Sequence, residues 1–215
     1  MTKKNNELVS EKEARTLTLN KQLGKEVLKE LETTLGWFRD RKLNEEQVGA
    51  VTKALLIHKG KIFLVGKGRS GLMAQAFAMR LSQINHKTRY LGEPTVPPVG
   101  RDDLFIVVSG SGTNFIEETR IAKNDQGARI VAITSYPDSD LAKMADLILI
   151  VPGREKEEGE IPYHERKLKG LPALALGTAF EILTMLVFDS IIGVILEEKK
   201  MTEGDMKKKH AKPQI

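Results

Sequence analysis

The sequence predicts an α/β protein: a doubly wound, five-stranded parallel sheet flanked by helices, with an N-terminal helical extension. From residue 61 onward, short runs of Ile, Leu and Val alternate with segments of helical character, as in a parallel sheet that is covered on both faces. Loops rich in glycine and serine follow two of these runs. Ligands of such folds bind at the carboxyl ends of the strands, so these loops are the candidate site.

The N-terminal part of the chain differs in composition from the rest. Residues 1–18 are polar and predict a frayed tail ahead of a single domain over residues 19–215. Within residues 19–58 we expect two helices, the first over "LGKEVLKELETTLGWF", whose apolar residues recur at helical spacing. The second helix begins at Asn44, where Gln47 three positions later completes a capping-box pattern.

Five apolar runs predict the strands, and a long apolar segment predicts the last major helix. The strands are "KIFLVG" (61–66), "TRYLG" (88–92), "LFIVVS" (104–109), "RIVAITS" (129–135) and "LILIVP" (147–152). The helix begins within "GTAFEILTMLVFDSIIGVIL". Its two carboxylates, Glu181 and Asp189, argue against a membrane span, so no membrane partner is expected.

Composition narrows the functional class. The chain has 215 residues, 40% of them hydrophobic, a net charge of +5 and no cysteine, which predicts an intracellular, cytoplasmic protein. The N-terminal segment has no apolar core, so we do not expect it to be a signal peptide. Aromatic residues make up 5%, and no nucleic-acid-binding signature occurs. Anionic small molecules are therefore favoured as ligands over nucleic acid.

The first loop, residues 66–71, has the spacing of a dinucleotide-binding fingerprint. "VGKGRSG" places Gly-x-Gly-x-x-Gly between a strand and a helix. Glu93 lies about 20 residues further on, where such sites place an acidic residue. The loop therefore predicts a site for NAD or for another phosphate.

The second loop, residues 109–114, reads "SGSGTN" and follows the strand "LFIVV". Small residues let the backbone approach an anion closely, and exposed N–H groups and a helix dipole favour negative charge. A hydroxyl-rich cradle beside the first loop, which itself carries Arg69 and Ser70, favours a compact phosphorylated ligand over a dinucleotide. The simpler alternative is that both loops are only tight turns.

Three motifs together resemble the sugar isomerase (SIS) domain family, and within it the 6-phospho-3-hexuloisomerases. They are "VGKGRSG", "SGSGTN" and "LALGTAFE", followed by a terminal Lys-x-His. The resemblance extends from about residue 20 to His210. It implies an SIS-type fold, a homotetramer, no redox cofactor and no metal. It also implies conversion between 3-hexulose 6-phosphate and fructose 6-phosphate in the ribulose monophosphate pathway.

The resemblance also implies a set of site residues. Substrate binding would involve Gly68, Arg69, Ser70, Ser109, Ser111, Thr113 and Asn114, and catalysis Glu181 and His210. Two features depart from the family pattern. Asn114 stands where the family usually has Thr, and the charged segment 153–173 is longer than the usual connection. We interpret that segment as a solvated loop, with the alternative that Tyr163 and His164 reach a pocket.

Glu181 is the candidate base on chemical grounds as well. Moving a carbonyl between adjacent sugar carbons is chemistry of the aldose–ketose type. It requires one group that removes a proton from one carbon and returns a proton to the neighbouring carbon. A carboxylate suits this role when an apolar setting raises its pKa toward neutrality, and almost every neighbour of Glu181 in sequence is apolar. The alternative is a structural role, because Thr178-x-x-Glu181 is also a capping-box pattern.

A second titratable group is expected to move protons on the sugar oxygens or to open a furanose ring, and histidine is the usual choice. His58 and His86 end helices, which favours a role at the helix dipole. His210 lies in a polar tail and is a candidate only through the resemblance, which implies that it reaches a neighbouring subunit's active site. Asp189 is interpreted as a helix-interior hydrogen-bonding or interface group.

Two other functions remain open. SIS domains also serve as sensors that bind a sugar phosphate without converting it, usually attached to a DNA-binding domain. The first 60 residues are too short and too poorly patterned to predict such a domain. The other alternative is an isomerase of a different phosphosugar, such as arabinose 5-phosphate or sedoheptulose 7-phosphate.

Overall fold

The computed structural model describes residues 2–153, 161–169, 171, 174 and 177–209. These residues form two compact units, one from residues 1–42 with 161–174 and the other from residues 43–160 with 175–215. The assignment of 19–215 to a single domain stays a prediction.

The helices are numbered in chain order. Their bounds are α1 (Thr2–Arg39), α2 (Glu45–Ile57), α3 (Arg69–Gln83), α4 (Ile116–Arg120), α5 (Asp140–Met144), α6 (Tyr163–Leu168), α7 (Thr178–Glu198) and α8 (Glu203–Lys208). A π-helical segment, Ile121–Asp125, directly continues α4.

The described residues contain a five-stranded, all-parallel sheet, which confirms the predicted fold class. Its strands are β1 (Lys61–Gly66), β2 (Lys87–Tyr90), β3 (Leu104–Val108), β4 (Arg129–Thr134) and β5 (Leu147–Ile150). They begin and end within two residues of the predicted runs. The spatial order is β2-β1-β3-β4-β5, so the chain direction across the sheet reverses between β1 and β3.

Helices cover both faces of the sheet. On one face, Phe63, Phe105 and Ile130 belong to a buried apolar cluster that also includes residues of the π-helical segment and α5. On the other face, α3 contacts β1 and α7, and α2 contacts β5 and α7. Residues of the three central strands, β1, β3 and β4, are buried on both faces, which explains why these strands read as continuous rather than alternating apolar runs.

Helix α2 begins where the capping pattern predicts, but only half of the capping box forms. The side chain of Asn44 accepts a hydrogen bond from the backbone N–H of Gln47 at 3.0 Å. The Gln47 side chain does not return to Asn44; its Oε1 accepts from the backbone N–H of Ile150 at 3.0 Å. Gln47 therefore ties α2 to β5, at the edge of the sheet.

Within the described part of the chain, α7 is the one helix long and apolar enough to cross a membrane, and half of its most apolar window is buried. Its Phe188 stacks on Phe77 of α3, with ring centroids 4.0 Å apart. Its Asp189 lies 3.6 Å from the guanidinium of Arg80 on α3. The contact with Phe77 accounts for the apolar length of α7 as a core helix, while the role of Asp189 as a hydrogen-bonding or interface group stays a prediction.

The first unit consists mainly of α1, which is longer than the sequence predicts. The segment expected to be a polar tail, residues 1–18, is helical from Thr2 onward. Large aliphatic side chains of α1 are each more than half exposed: Leu17, Leu19, Leu23, Val27, Leu28, Leu31 and Leu35. The helical spacing of these residues thus produces an apolar face that one copy of the chain leaves exposed.

The charged segment 153–173 is not a loop throughout. Residues 163–168 form the short helix α6, and residues 154–160 lie outside the described residues. Tyr163 is 54% exposed, and the guanidinium of Arg166 lies over its ring at 5.2 Å. Whether Tyr163 and His164 contact a ligand stays a prediction.

Candidate active site

The candidate site lies where the strand order reverses. Gly66 at the end of β1 is in register with Val108 at the end of β3. The first loop (66–71) and the second loop (109–114) therefore start side by side at the carboxyl edge of the sheet. This is the position at which open α/β sheets bind their ligands, as the sequence predicts.

The first loop leads directly into α3. Gly68 adopts a positive φ of 58° and precedes Arg69, the first residue of the helix. The backbone N–H groups of the first helical turn have no partner within the helix, and such groups attract anions. Ser70 is half-buried and Arg69 is exposed, so the loop offers a hydroxyl, a guanidinium and N–H groups at one place.

Arg69 joins the first loop to the start of α7. Its Nε lies 2.6 Å from Oε2 of Glu181, and its Nη1 donates to the hydroxyl of Thr178 at 2.8 Å. The side chain of Glu181 is only 10% exposed, whereas that of Arg69 is 51% exposed. A buried carboxylate thus faces a cation that is still reachable from solvent, directly beside the predicted anion-binding loop.

The capping-box alternative for Glu181 does not hold. The residue before α7 is Gly177, with φ of 77°, and no side chain caps the helix there. Thr178 is the first helical residue, and its hydroxyl accepts from Arg69. The carboxylate of Glu181 accordingly lies toward Arg69 instead of closing a capping box with Thr178.

Polar side chains of the second loop bond to one another. Ser109 is 2% exposed, and its Oγ accepts from the Asn114 side-chain amide at 3.3 Å. The hydroxyls of Ser111 and Thr113 lie 2.8 Å apart at the surface. Asn114 does not cap α4, which begins after Phe115 without a side-chain cap. The pair Ser111–Thr113 therefore lies at the surface of this loop, while Ser109 is buried and bonds to the half-buried Asn114.

The second loop is fixed by its neighbours in the sheet. The backbone carbonyl of Gly110 accepts from Ser135 N–H, and that of Gly112 from Leu141 N–H, both at 3.1 Å. The ring of Phe180 packs on Gly110 so closely that a β-carbon there would lie 3.0 Å from it. Phe180 directly precedes Glu181, so the helix that carries the candidate base also supports the second loop.

His58 and His86 lie away from these two loops. His58 ends α2 and contacts the Lys61 carbonyl, while His86 is buried, with its Nε2 3.3 Å from Lys199 Nζ. Burial, together with the charges of Lys199 and His58, lowers the pKa of His86 to about 4. The predicted dipole role is wrong for His86, because it requires an imidazolium ion near neutral pH. His210, the predicted catalytic histidine, lies outside the described residues.

Sequence reasoning missed two groups that hold the site together. The sequence pattern indicates only a possible cap at Thr178, yet its hydroxyl accepts a hydrogen bond from the guanidinium of Arg69. Tyr90 ends β2, and its hydroxyl donates to the carbonyl of Gly66 at 3.0 Å. Tyrosine is common in strands, so nothing in the local sequence distinguishes this one.

Comparison with known proteins identifies the family to which this chain belongs. The family model for the SIS domain matches residues 55–166, which include both loops. The chain belongs to the SIS domain family. It is 34% identical over 188 residues to the 3-hexulose-6-phosphate isomerase of Bacillus subtilis, covering 86% of this chain and 94% of the relative. It is 32% identical over 172 residues to the enzyme of the same name from Mycobacterium gastri, covering 79% and 81%.

A solved structure shares the fold as well. It is a hypothetical protein from Methanococcus jannaschii, for which a molecular function of 3-hexulose-6-phosphate isomerase has been inferred. The TM-score is 0.66 at 27% identity, over 88% of this chain and 99% of the other. Membership of the SIS family favours a sugar phosphate over a dinucleotide at the first loop, although the exclusion of NAD stays a prediction.

Proposed function

We propose that this protein interconverts 3-hexulose 6-phosphate and fructose 6-phosphate. The protein is a phosphosugar isomerase, and the observation that carries the proposal is the buried carboxylate of Glu181, 2.6 Å from Arg69, at the reversal point of the sheet. The choice of substrate is supported by relatives from Bacillus subtilis and Mycobacterium gastri that are named 3-hexulose-6-phosphate isomerase.

The second loop is proposed to bind the phosphate. The hydroxyls of Ser111 and Thr113 form an accessible pair that can turn toward an anion without disturbing the bond between Ser109 and Asn114. Hydrogen bonds between hydroxyl or N–H donors and an ionised phosphate are about twice as strong as neutral ones. The phosphate therefore provides much of the binding free energy, and the sugar carbons extend toward Glu181.

Glu181 is proposed to transfer the proton between sugar carbons. Starting from fructose 6-phosphate, its carboxylate removes the proton from C3, and the electron pair forms an enediolate across C2 and C3. The same group returns the proton to C2, while the hydroxyl proton moves from O3 to O2 and the carbonyl forms at C3. Substrate and product have the same atoms and oxidation state, so no redox cofactor is needed.

Arg69 has two roles in this proposal. In the ligand-free protein its guanidinium balances the buried charge of Glu181. When an anionic substrate enters, it competes for the half-exposed guanidinium, which leaves the carboxylate available as a base. A cation held this close to the reacting carbons also stabilises the negative charge of the enediolate. His210 is proposed to assist ring opening or proton movement on the sugar oxygens.

An oligomer, as the family resemblance implies, is proposed to bury the exposed face of α1. Seven large aliphatic side chains, each more than half exposed, line one helix of the first unit. Apolar patches of this kind on a soluble domain mark interaction surfaces. The occupant proposed here is a second copy of the chain, because the family resemblance implies a homotetramer.

Charges introduced into this face test the oligomer. Leu28 and Leu31 are 61% and 51% exposed, so changing both to Lys leaves the fold of one copy intact but places charge in the interface. We expect a lower mass by light scattering than for the parent protein. Ile57→Lys, a residue 61% exposed at the end of α2, is the control. An unchanged mass for the α1 variant would contradict this assembly.

The substrate assignment is tested by incubating the protein with a panel of phosphosugars and following the ketose position by ¹³C NMR. We expect fructose 6-phosphate to yield the 3-ketose, with no conversion of arabinose 5-phosphate or sedoheptulose 7-phosphate. Conversion of another sugar alone would replace the substrate. Tight binding of a phosphosugar without any conversion would favour the sensor function. The assay contains neither NAD nor metal, so activity there would also support their proposed dispensability.

A further inference from the structure

We infer that Tyr90 is a positioning residue that holds the first loop in its substrate-binding conformation; the inference rests on the proposed function. Tyr90 is the last residue of β2, which lies at the edge of the sheet. It is in register with Leu64 of β1, two residues before the loop begins. Its ring is half-buried, and its hydroxyl reaches forward to the end of the neighbouring strand.

Three groups lie close together where the first loop begins and ends: the carbonyl of Gly66, the hydroxyl of Tyr90 and Gly71. The hydroxyl of Tyr90 donates to the carbonyl oxygen of Gly66 at 3.0 Å. A β-carbon at Gly71 would lie 2.5 Å from that same oxygen and 2.7 Å from the Tyr90 hydroxyl. The end of β1 and the first turn of α3 are therefore in direct backbone contact, and Tyr90 closes the contact from the side.

This arrangement gives the glycine spacing of the first loop a second reason. Gly71 is glycine because the Gly66 carbonyl and the Tyr90 hydroxyl occupy the space of a side chain. The residues between these contacts include Arg69 and Ser70, which carry the polar groups proposed to bind substrate. Fixing both ends of so short a loop fixes the direction of those groups, so the Tyr90 hydroxyl acts on the substrate through them.

The test compares Tyr90→Phe with the parent protein. The variant retains the ring and removes one oxygen atom, so the loop loses its hydrogen bond without a cavity. We expect the Kd for fructose 6-phosphate, measured by calorimetry, and the KM to rise about 3- to 10-fold, as for loss of one neutral hydrogen bond. We expect kcat to change by less than about threefold, because Glu181 is not contacted.

Ser190→Ala is the matched control, since it also removes a hydroxyl that donates to a backbone carbonyl, that of Leu186 on α7. It should leave Kd and KM unchanged. If the role of Tyr90 were purely structural, the substitution would lower the melting temperature or the yield of folded protein but leave Kd unchanged. That combination would overturn the inference. If the parent protein neither binds nor converts fructose 6-phosphate, the proposed function itself fails and the inference falls with it. If the parent is active and the Kd of Tyr90→Phe is unchanged, only the inference fails.

Discussion

The two glycine-rich loops lie side by side but are held in different ways. The second loop is fixed by backbone hydrogen bonds to Ile133, Ser135 and Leu141, and by the ring of Phe180. The first loop combines a close backbone approach of Gly66 to Gly71 with contacts of two side chains, the hydroxyl of Tyr90 and the guanidinium of Arg69. Single substitutions of Tyr90 or Arg69 can therefore remove contacts of the first loop, whereas the backbone hydrogen bonds of the second loop do not depend on side chains.

This difference indicates that the two loops bind different parts of the substrate. A loop that is fixed by backbone bonds suits a phosphate, whose shape and charge are the same in every phosphosugar. A loop whose Arg69 contacts the candidate base suits the reacting part of the sugar, where charge develops during the reaction. Replacing Arg69 or Glu181 should therefore affect turnover, whereas changing the second loop, or loosening the first loop while Arg69 is retained, should mainly affect affinity.

Glu181→Gln is expected to give the largest effect. The amide retains nearly the same shape and can still accept from Arg69, but it cannot remove a proton. Turnover should fall by at least ~10²-fold, as for loss of a general base, while fructose 6-phosphate still binds. Calorimetry and the NMR assay measure the two quantities separately. Turnover near that of the parent would place the base elsewhere.

Ser111→Ala tests the second loop. Loss of a hydrogen bond to a charged group costs ~1.5–3 kcal/mol, so the Kd for fructose 6-phosphate should rise about 10-fold or more with kcat little changed. Ser109→Ala is the comparison, because that hydroxyl is 2% exposed and bonds to Asn114. We expect it to lower the melting temperature more than it changes affinity. Equal, unchanged affinities would remove both serines from the site.

Asn114→Thr restores the residue that the family usually has at this position. The shorter side chain loses the 3.3 Å bond to Ser109 but brings a hydroxyl to the loop. We expect a change in Kd of less than about 5-fold, because one neutral hydrogen bond is replaced by another group. Titration with fructose 6-phosphate measures it. A sharp loss of affinity would indicate that Asn114 contacts a different ligand.

His86 lies away from both loops and should affect stability alone. Its pKa is lowered from 6.5 to about 4 in the folded protein, so between these values the unfolded chain binds more protons. Its contribution to stability is therefore present above pH 6.5, falls as the pH decreases toward 4 and is lost below, by about 1–3 kcal/mol in total. Urea unfolding at several pH values should show a weaker pH dependence for His86→Gln than for the parent; identical curves would contradict this.

The local features of this protein could be predicted from the sequence, and its long-range contacts could not. The strands, the start of α2 and the two loops depend on neighbouring residues, and the structure confirms them. The contact between Arg69 and Thr178 joins residues 109 positions apart, so no local pattern shows it. The same holds for Gln47. The capping-box pattern predicts that its side chain bonds to Asn44, but it accepts instead from the backbone N–H of Ile150 on the edge strand β5.

Interpretation of Glu181 shows the same limit. Its sequence pattern fits a cap and a base equally well, because a capping-box Glu and a base in an apolar setting can occupy the same position. The choice became possible only when the structure placed Gly177 before the helix and Arg69 against the carboxylate. Periodicity likewise predicts that α1 contains a helix with an apolar face. It does not reveal what that face packs against, so the exposure of the face could not be predicted.

The most direct test of the central claim is hydrogen exchange at C3 of fructose 6-phosphate in D₂O, followed by NMR. An enediolate across C2 and C3 requires that the C3 proton leave the substrate, and it exchanges with solvent while on Glu181. We predict that the parent protein incorporates deuterium at C3 and that Glu181→Gln does not, although it still binds the sugar phosphate. Exchange at C1 alone, or undiminished exchange at C3 in Glu181→Gln, would contradict the proposed reaction at this site.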